Sequence, residues 1–188
     1  MSHVRTDIQR IVEAALFLAI TFIIARLEFR IWPQGGSVNI FILPLVLYAV
    51  RNGVKWGLLT GTAYGILSIM WASFLYHPLS GLLDFIVPAA ATGLAGLLRG
   101  DFRAYWGILL AGSVGMASYV LSGVFIFGHF MPEVFLGIPM GNVLFYAFLY
   151  NATYVIPSML LSLFVLSLIH KPLRRFILRQ DLAEGGTD

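Results

Sequence analysis

One carboxylate in this chain has no obvious reason to be where it is. Asp84, in the segment SGLLDFIVP, has apolar residues on both sides. A carboxylate held in lipid costs roughly 2.5–3.5 kcal/mol even on the lenient insertion scale, so it must face an interior and find a partner there. Lying about one turn inside a helix capped by Ser80, it would complement the positive helix end, which offsets only about 0.3–1 kcal/mol. Arg26 and Arg30 are the only basic residues expected at comparable depth. A cationic guest is the partner that suits the remaining charge.

A second group sits in GNVLFYAFLYNATYVIPS, where Asn142, Tyr146, Tyr150 and Tyr154 follow at i,i+4 steps and form one stripe on a helix. Asn151 lies beside the stripe, about 13 Å below Asn142, at a depth where an amide needs hydrogen-bond partners. Tyrosine stripes also arise from packing and from interfacial belts. An amide and tyrosine faces opposite a carboxylate suit a flat, positively charged heteroaromatic solute, and cation–π contacts are worth about 2 kcal/mol when desolvated. Pro157 is expected to kink this helix below that level.

Other candidates carry blander readings. His77 and His129 lack metal-ligand spacing and read as solvated or capping histidines, so no metal is expected. Glu13 is shallow enough to reach headgroups, Arg10 or a partner protein. Ala15 and Ala19 form a small-xxx-small pair that lets another helix approach closely. No phosphate loop, HExxH or GxSxG motif is present, so nucleotide hydrolysis and familiar hydrolase chemistry are unsupported and no cofactor is implied.

The elements that must hold these groups follow from composition. The chain has 188 residues, 59% hydrophobic and 11% charged, with a mean hydropathy of +0.87. Soluble domains carry roughly a quarter charged residues. Apolar stretches at Ile11–Ala25, Val38–Val50, Trp56–Phe74, Leu79–Leu98, Tyr105–Phe127 and Val143–Ile169 predict an all-α, multi-pass membrane protein with six transmembrane helices. With the N-terminus inside, Arg5, Arg10, Arg51, Lys55, Arg99, Arg103, Lys171, Arg174, Arg175 and Arg179 are cytoplasmic, leaving Arg26 and Arg30 outside. Both termini are therefore expected in the cytoplasm. The net charge of +3 belongs to this asymmetry, not to nucleic acid, and the basic segment KPLRRFILR fits anionic lipid. Absence of cysteine excludes disulfides and thiolate chemistry.

The second span is too short: thirteen residues rise only about 20 Å against a hydrocarbon core of about 30 Å. The preceding PQGGS, with Gln34, Gly35, Gly36 and Ser37, would supply irregular backbone folded over a cavity at the outer face. A simple external turn beside a tilted helix is the other reading. No second domain or repeat is evident, and the acidic tail Asp181–Asp188 is expected to fray.

Several segments together resemble the thiamine-specific substrate-binding (S) components of energy-coupling factor (ECF) transporters, the ThiT or YuaJ-like family. They are EAALFLA, PQGGSVNIFILPL, HPLSGLLDFIVPAAATGLAGL, YVLSGVFIFG and YAFLYNATYVIPS. The resemblance implies a six-helix, single-domain capture protein in a prokaryotic plasma membrane, binding thiamine near the outer face under the first external loop. It implies a separate energising module of two ATPase subunits and a transmembrane coupling protein, against which the Ala15/Ala19 face of span one packs. By position, Asp84 matches the acid facing the thiazolium, Phe85 its aromatic neighbour, Phe127 the stacking ring, and Tyr146 and Asn151 the span-six contacts. Tyr150 completes the tyrosine face. The sequence departs from the family pattern at Tyr119, where a histidine is usual, and at Gly115, where a basic residue is frequent. Three other functions fit the residues: capture of a neutral, hydroxymethylpyrimidine-like thiamine precursor, an intramembrane enzyme using Asp84 with a tyrosine or histidine as acid and base, and a structural subunit with no ligand.

Overall fold

The computed structural model describes residues 2–32, 35–72 and 75–177. Gln34 of the expected lid, its neighbour Pro33, the Phe74 end of the third apolar stretch and the tail Asp181–Asp188 lie outside the described residues.

The chain is helical, with two short antiparallel hairpins at one end of the bundle. Helix α1 (Ser2–Ala25) leads into β1 (Phe29–Trp32) and β2 (Gly35–Val38), paired so that Trp32 faces Gly35 and Arg30 faces Ser37. Helices α2 (Ile42–Asn52) and α3 (Val54–Met70) follow, joined through Gly53. Helix α4 (Pro78–Leu97), α5 (Arg103–Phe125) and α6 (Val143–Ile177) complete the bundle. A second hairpin, β3 (Val134–Phe135) and β4 (Ile138–Pro139), precedes α6. Among the described residues, Asp7–Ala25, Pro78–Leu97, Arg103–Phe125 and Val143–Arg174 are long and apolar enough to cross a membrane. Helix α6 continues through Pro157.

Helix α2 is short, as the sequence leads one to expect. It spans eleven residues, all of them buried, so it rises only about 16 Å. Such a short helix can be accommodated because neighbouring protein surrounds it. Its Leu43, Val46 and Val50 pack with Ile108, Ala111 and Leu166 of α5 and α6 to form the core. At the opposite extreme, α1 leaves Ile8, Ile11, Val12, Leu16, Ile20 and Ile23 exposed.

Close backbone approach joins α3 to α4. A Cβ added at Gly61 would lie 2.2 Å from the Ala89 carbonyl oxygen, and one added at Gly93 would lie 2.3 Å from the Leu58 nitrogen. Small residues at this seam let the two backbones touch, as membrane helices commonly require.

Polar contacts tie α1 to α2, among them the bond from the Tyr48 hydroxyl to the Arg10 carbonyl at 3.0 Å. Arg51, 4% exposed, donates from Nε to Glu13 at 3.1 Å, and Asn52 Nδ2 donates to the same carboxylate at 2.9 Å. Glu13 therefore binds within the chain, while Arg10 pairs with Asp7. Because Glu13 is half-buried, its pair falls between an exposed and a fully enclosed one. Glu13→Ala is expected to lower stability by roughly 1 kcal/mol, read as a lower thermal unfolding midpoint in detergent.

Candidate functional site

Helix α4 changes winding where Asp84 sits. His77 caps its first turn, accepting from the Leu79 N–H at 3.1 Å through Nδ1, while Ser80 bonds back to His77 and completes a capping box. The capping histidine reading of His77 thus holds, and Ser80 occupies the third helical position instead of the cap. The next residues, Leu82–Ile86, form a π-helical turn, followed by α-helix at Val87–Ala91 and a 3₁₀ segment at Thr92–Leu97. Single π turns widen a helix locally and are frequent at functional sites. Ser118 of α5 reaches across and donates to the Leu83 carbonyl at 2.6 Å, fixing this turn from the side.

The turn presents Asp84 and Phe85 to a cavity of about 1230 Å³. The same cavity is lined by Tyr119 from α5, by Phe127 two residues beyond the end of α5, by Tyr146, Tyr150 and Asn151 from α6, and by Gly35, Gly36 and Ser37 from β2. Apart from Asn142, the described residues singled out for binding or for the overlying loop therefore converge on one space. Ala15 and Ala19 lie elsewhere, both exposed on α1.

Asp84 has no ion pair with any described residue. The Ser122 hydroxyl faces its carboxyl without a hydrogen bond of good geometry. Opposite lies an aromatic wall. Tyr146 and Tyr150 approach at 5.8 Å between ring centroids, Tyr150 and Tyr154 at 6.1 Å, and Tyr154 and Tyr119 at 6.0 Å. Tyr119 fills space beside Gly115, whose added Cβ would come within 3.8 Å of the phenol ring. The two departures from the family pattern are thus neighbours in space.

Asn151 is buried and partly committed. Its amide donates to the Ala147 carbonyl at 2.7 Å, and its oxygen accepts from the Tyr154 hydroxyl. One N–H and one lone pair are left over. Asn142 turns out to cap α6, accepting from the Leu144 and Phe145 N–H groups through Oδ1. It contributes to the start of the helix and not to the stripe.

The first hairpin rests on α6. Tyr150 donates to the Gly35 carbonyl at 2.9 Å, and Trp32 Nε1 donates to Thr153 at 2.9 Å. Gly36, with φ of 83°, lies flat on the Tyr154 ring, where an added Cβ would come within 2.7 Å. Only glycine satisfies both the dihedral and the approach. The second hairpin meets the first: Phe135, buried, packs 5.0 Å from Trp32 and edge-on to Tyr146.

Trp32, Phe135, Phe41 and Tyr64 also line the cavity, and sequence reasoning did not single them out. Phe41 and Tyr64 stack at 5.5 Å. The signal for Trp32 was its place near the glycines, and for Phe135 its place between the turn-forming Pro132 and Gly137.

The geometry is that of an aromatic chamber with one unneutralised carboxylate, suited to holding a flat cation. Comparison with known proteins agrees with this chemistry. Residues 11–178 match the family model described as thiamine transporter protein (Thia_YuaJ). The chain is 34% identical to the thiamine transporter ThiT of Bacillus subtilis (strain 168), over 191 aligned positions covering 93% of this chain and 96% of the relative. Its fold matches the solved structure of ThiT from Listeria monocytogenes with a TM-score of 0.78 at 14% identity, covering 92% of this chain and 98% of the other. An uncompensated acid in an aromatic chamber, on a chain matched over nearly all its length, leads to one conclusion: this protein belongs to the ThiT/YuaJ thiamine transporter family.

Proposed function

We propose that this chain captures thiamine from outside the cell as the S component of an ECF-type importer. The observation that carries the proposal is the Asp84 carboxylate, without an ion pair among the described residues, at the wall of an aromatic cavity. Thiamine supplies what that site lacks: a thiazolium charge and two flat rings. Asp84 neutralises the charge, Phe85, Phe127 and Tyr146 enclose the rings, Tyr119 and Tyr150 close the sides, and Asn151 bonds a ring heteroatom. No covalent bond in the guest is made or broken.

In this reading residues 1–188 form one membrane domain of six spans with both ends cytoplasmic. The hairpin ends of the bundle face outward, and the β1–β2 turn with Gly35, Gly36 and Ser37 is the lid. The exposed Ala15/Ala19 face of α1 docks on the energising module of two ATPase subunits and a coupling protein, where close helix approach is possible. ATP hydrolysis there drives release inside.

Purification from native membranes, followed by release and mass identification of the accompanying small molecule, tests the capture role. Thiamine is the expected mass; an unrelated molecule, or a chemically altered product formed by the purified chain, overturns it. The lid makes a kinetic prediction. Tyr150→Phe removes the bond to the Gly35 carbonyl, worth about 1 kcal/mol. Stopped-flow binding should show thiamine dissociating about fivefold faster with little change in association.

A further inference from the structure

Several hydroxyls on the helices of this protein share one habit. Thr21, Ser68, Ser158 and Ser162 each donate to the carbonyl four residues back, at 2.6–2.8 Å. This is the usual way a hydroxyl is satisfied inside an apolar helix. Ser118 and Ser122 lie one turn apart on α5 and are buried alike, at 3% and 1% exposure. Ser118 bonds the Leu83 carbonyl of the π turn. The Ser122 hydroxyl makes no hydrogen bond of good geometry, lines the cavity and has the Asp84 carboxyl as a weak acceptor for its O–H.

A buried hydroxyl held only by a weak contact to a carboxylate is poorly satisfied and keeps its oxygen lone pairs free, so such a group calls for an explanation. An ionised carboxylate only accepts hydrogen bonds, so a guest atom bonded to Asp84 must donate. The Ser122 oxygen adds a second acceptor beside it. Two neighbouring acceptors match a group carrying two N–H hydrogens.

We propose that Ser122 is a specificity-determining residue of the site, its hydroxyl oxygen accepting from a ring amino group of the guest beside Asp84. The inference rests on the thiamine reading above and adds the amino group of its pyrimidine as the feature read by Ser122.

Ser122→Ala, Ser118→Ala and the unaltered protein should be titrated with thiamine and with the analogue whose ring amino group is replaced by an oxo group. Ligand-free thermal unfolding is measured alongside. Ser122→Ala should weaken thiamine about tenfold, change the oxo analogue little, and leave the ligand-free midpoint undiminished. Ser118→Ala should lower the ligand-free midpoint, because it loses a main-chain bond made without any guest. Undiminished thiamine affinity in Ser122→Ala overturns the inference while sparing the thiamine reading. So does equal weakening of both ligands accompanied by a lowered ligand-free midpoint. Failure of the unaltered protein to bind thiamine overturns the thiamine reading itself, and this inference with it.

Discussion

Asp84→Asn is expected to weaken thiamine binding at least tenfold, about 1.4 kcal/mol, while a neutral pyrimidine precursor, which has no charge to be neutralised, weakens markedly less. The substitution keeps size and shape, removes the charge and exchanges one acceptor oxygen for an N–H donor. Among the described residues no ion pair draws on that charge, so its electrostatic worth is available to a guest. Between aromatic walls of lower dielectric response than water that worth exceeds what the same pair would gain in bulk solvent. Calorimetric titration of both ligands against both proteins separates the two capture readings. Thiamine affinity unchanged in Asp84→Asn would remove the counter-ion role and leave aromatic enclosure as the source of binding. The ligand-free protein should unfold at the same temperature or higher, since an amide is less costly to bury than a carboxylate.

Gly61→Val should be the most damaging single change in the bundle. Already the first carbon of the new side chain would stand 2.2 Å from the Ala89 carbonyl oxygen, 2.9 Å from its carbonyl carbon and 3.0 Å from the Ala90 Cα. The obstacle is backbone, which cannot rotate away as a side-chain tip can. The two helices must separate, and overpacking of this kind costs about 3 kcal/mol or more. Loss of a monodisperse peak in detergent, or a large drop in unfolding midpoint, is the expected outcome. Gly141→Ala is the matched control: nothing lies within 4 Å of an added Cβ there, so its midpoint should not move. A well-behaved Gly61→Val protein would show that α3 and α4 are free to part.

Much of the site was legible because membranes make polarity informative. Asp84 and Asn151 are conspicuous only against hydrocarbon, and both line the cavity. The tyrosine stripe was legible from i,i+4 spacing alone, although its first member, Asn142, serves as a helix cap. What hydropathy misses is winding. Nothing in LLDFI announces a π turn, because apolar periodicity cannot separate 3.6 from 4.4 residues per turn over five positions. The hairpins were hidden for a related reason. PQGGS signals irregular backbone, but β pairing of FRIW with GGSV depends on where Tyr150, Thr153 and Tyr154 offer support, and those residues are more than a hundred positions away. Trp32 and Phe135 stayed unnoticed because their partnership exists only across two loops. Short α2 was legible as an anomaly; its cause, complete enclosure, is a property of the neighbours.

That enclosure bears on how the chain enters the bilayer during synthesis. A helix of eleven residues reaches about half the depth of the hydrocarbon, so α2 cannot rest there alone as a stable intermediate. Its link to α3 is the single residue Gly53, with φ of 86°, which folds the pair back on itself. The two helices must therefore leave the insertion machinery as one hairpin, with α2 sheltered from lipid before the later segments arrive to wall it in.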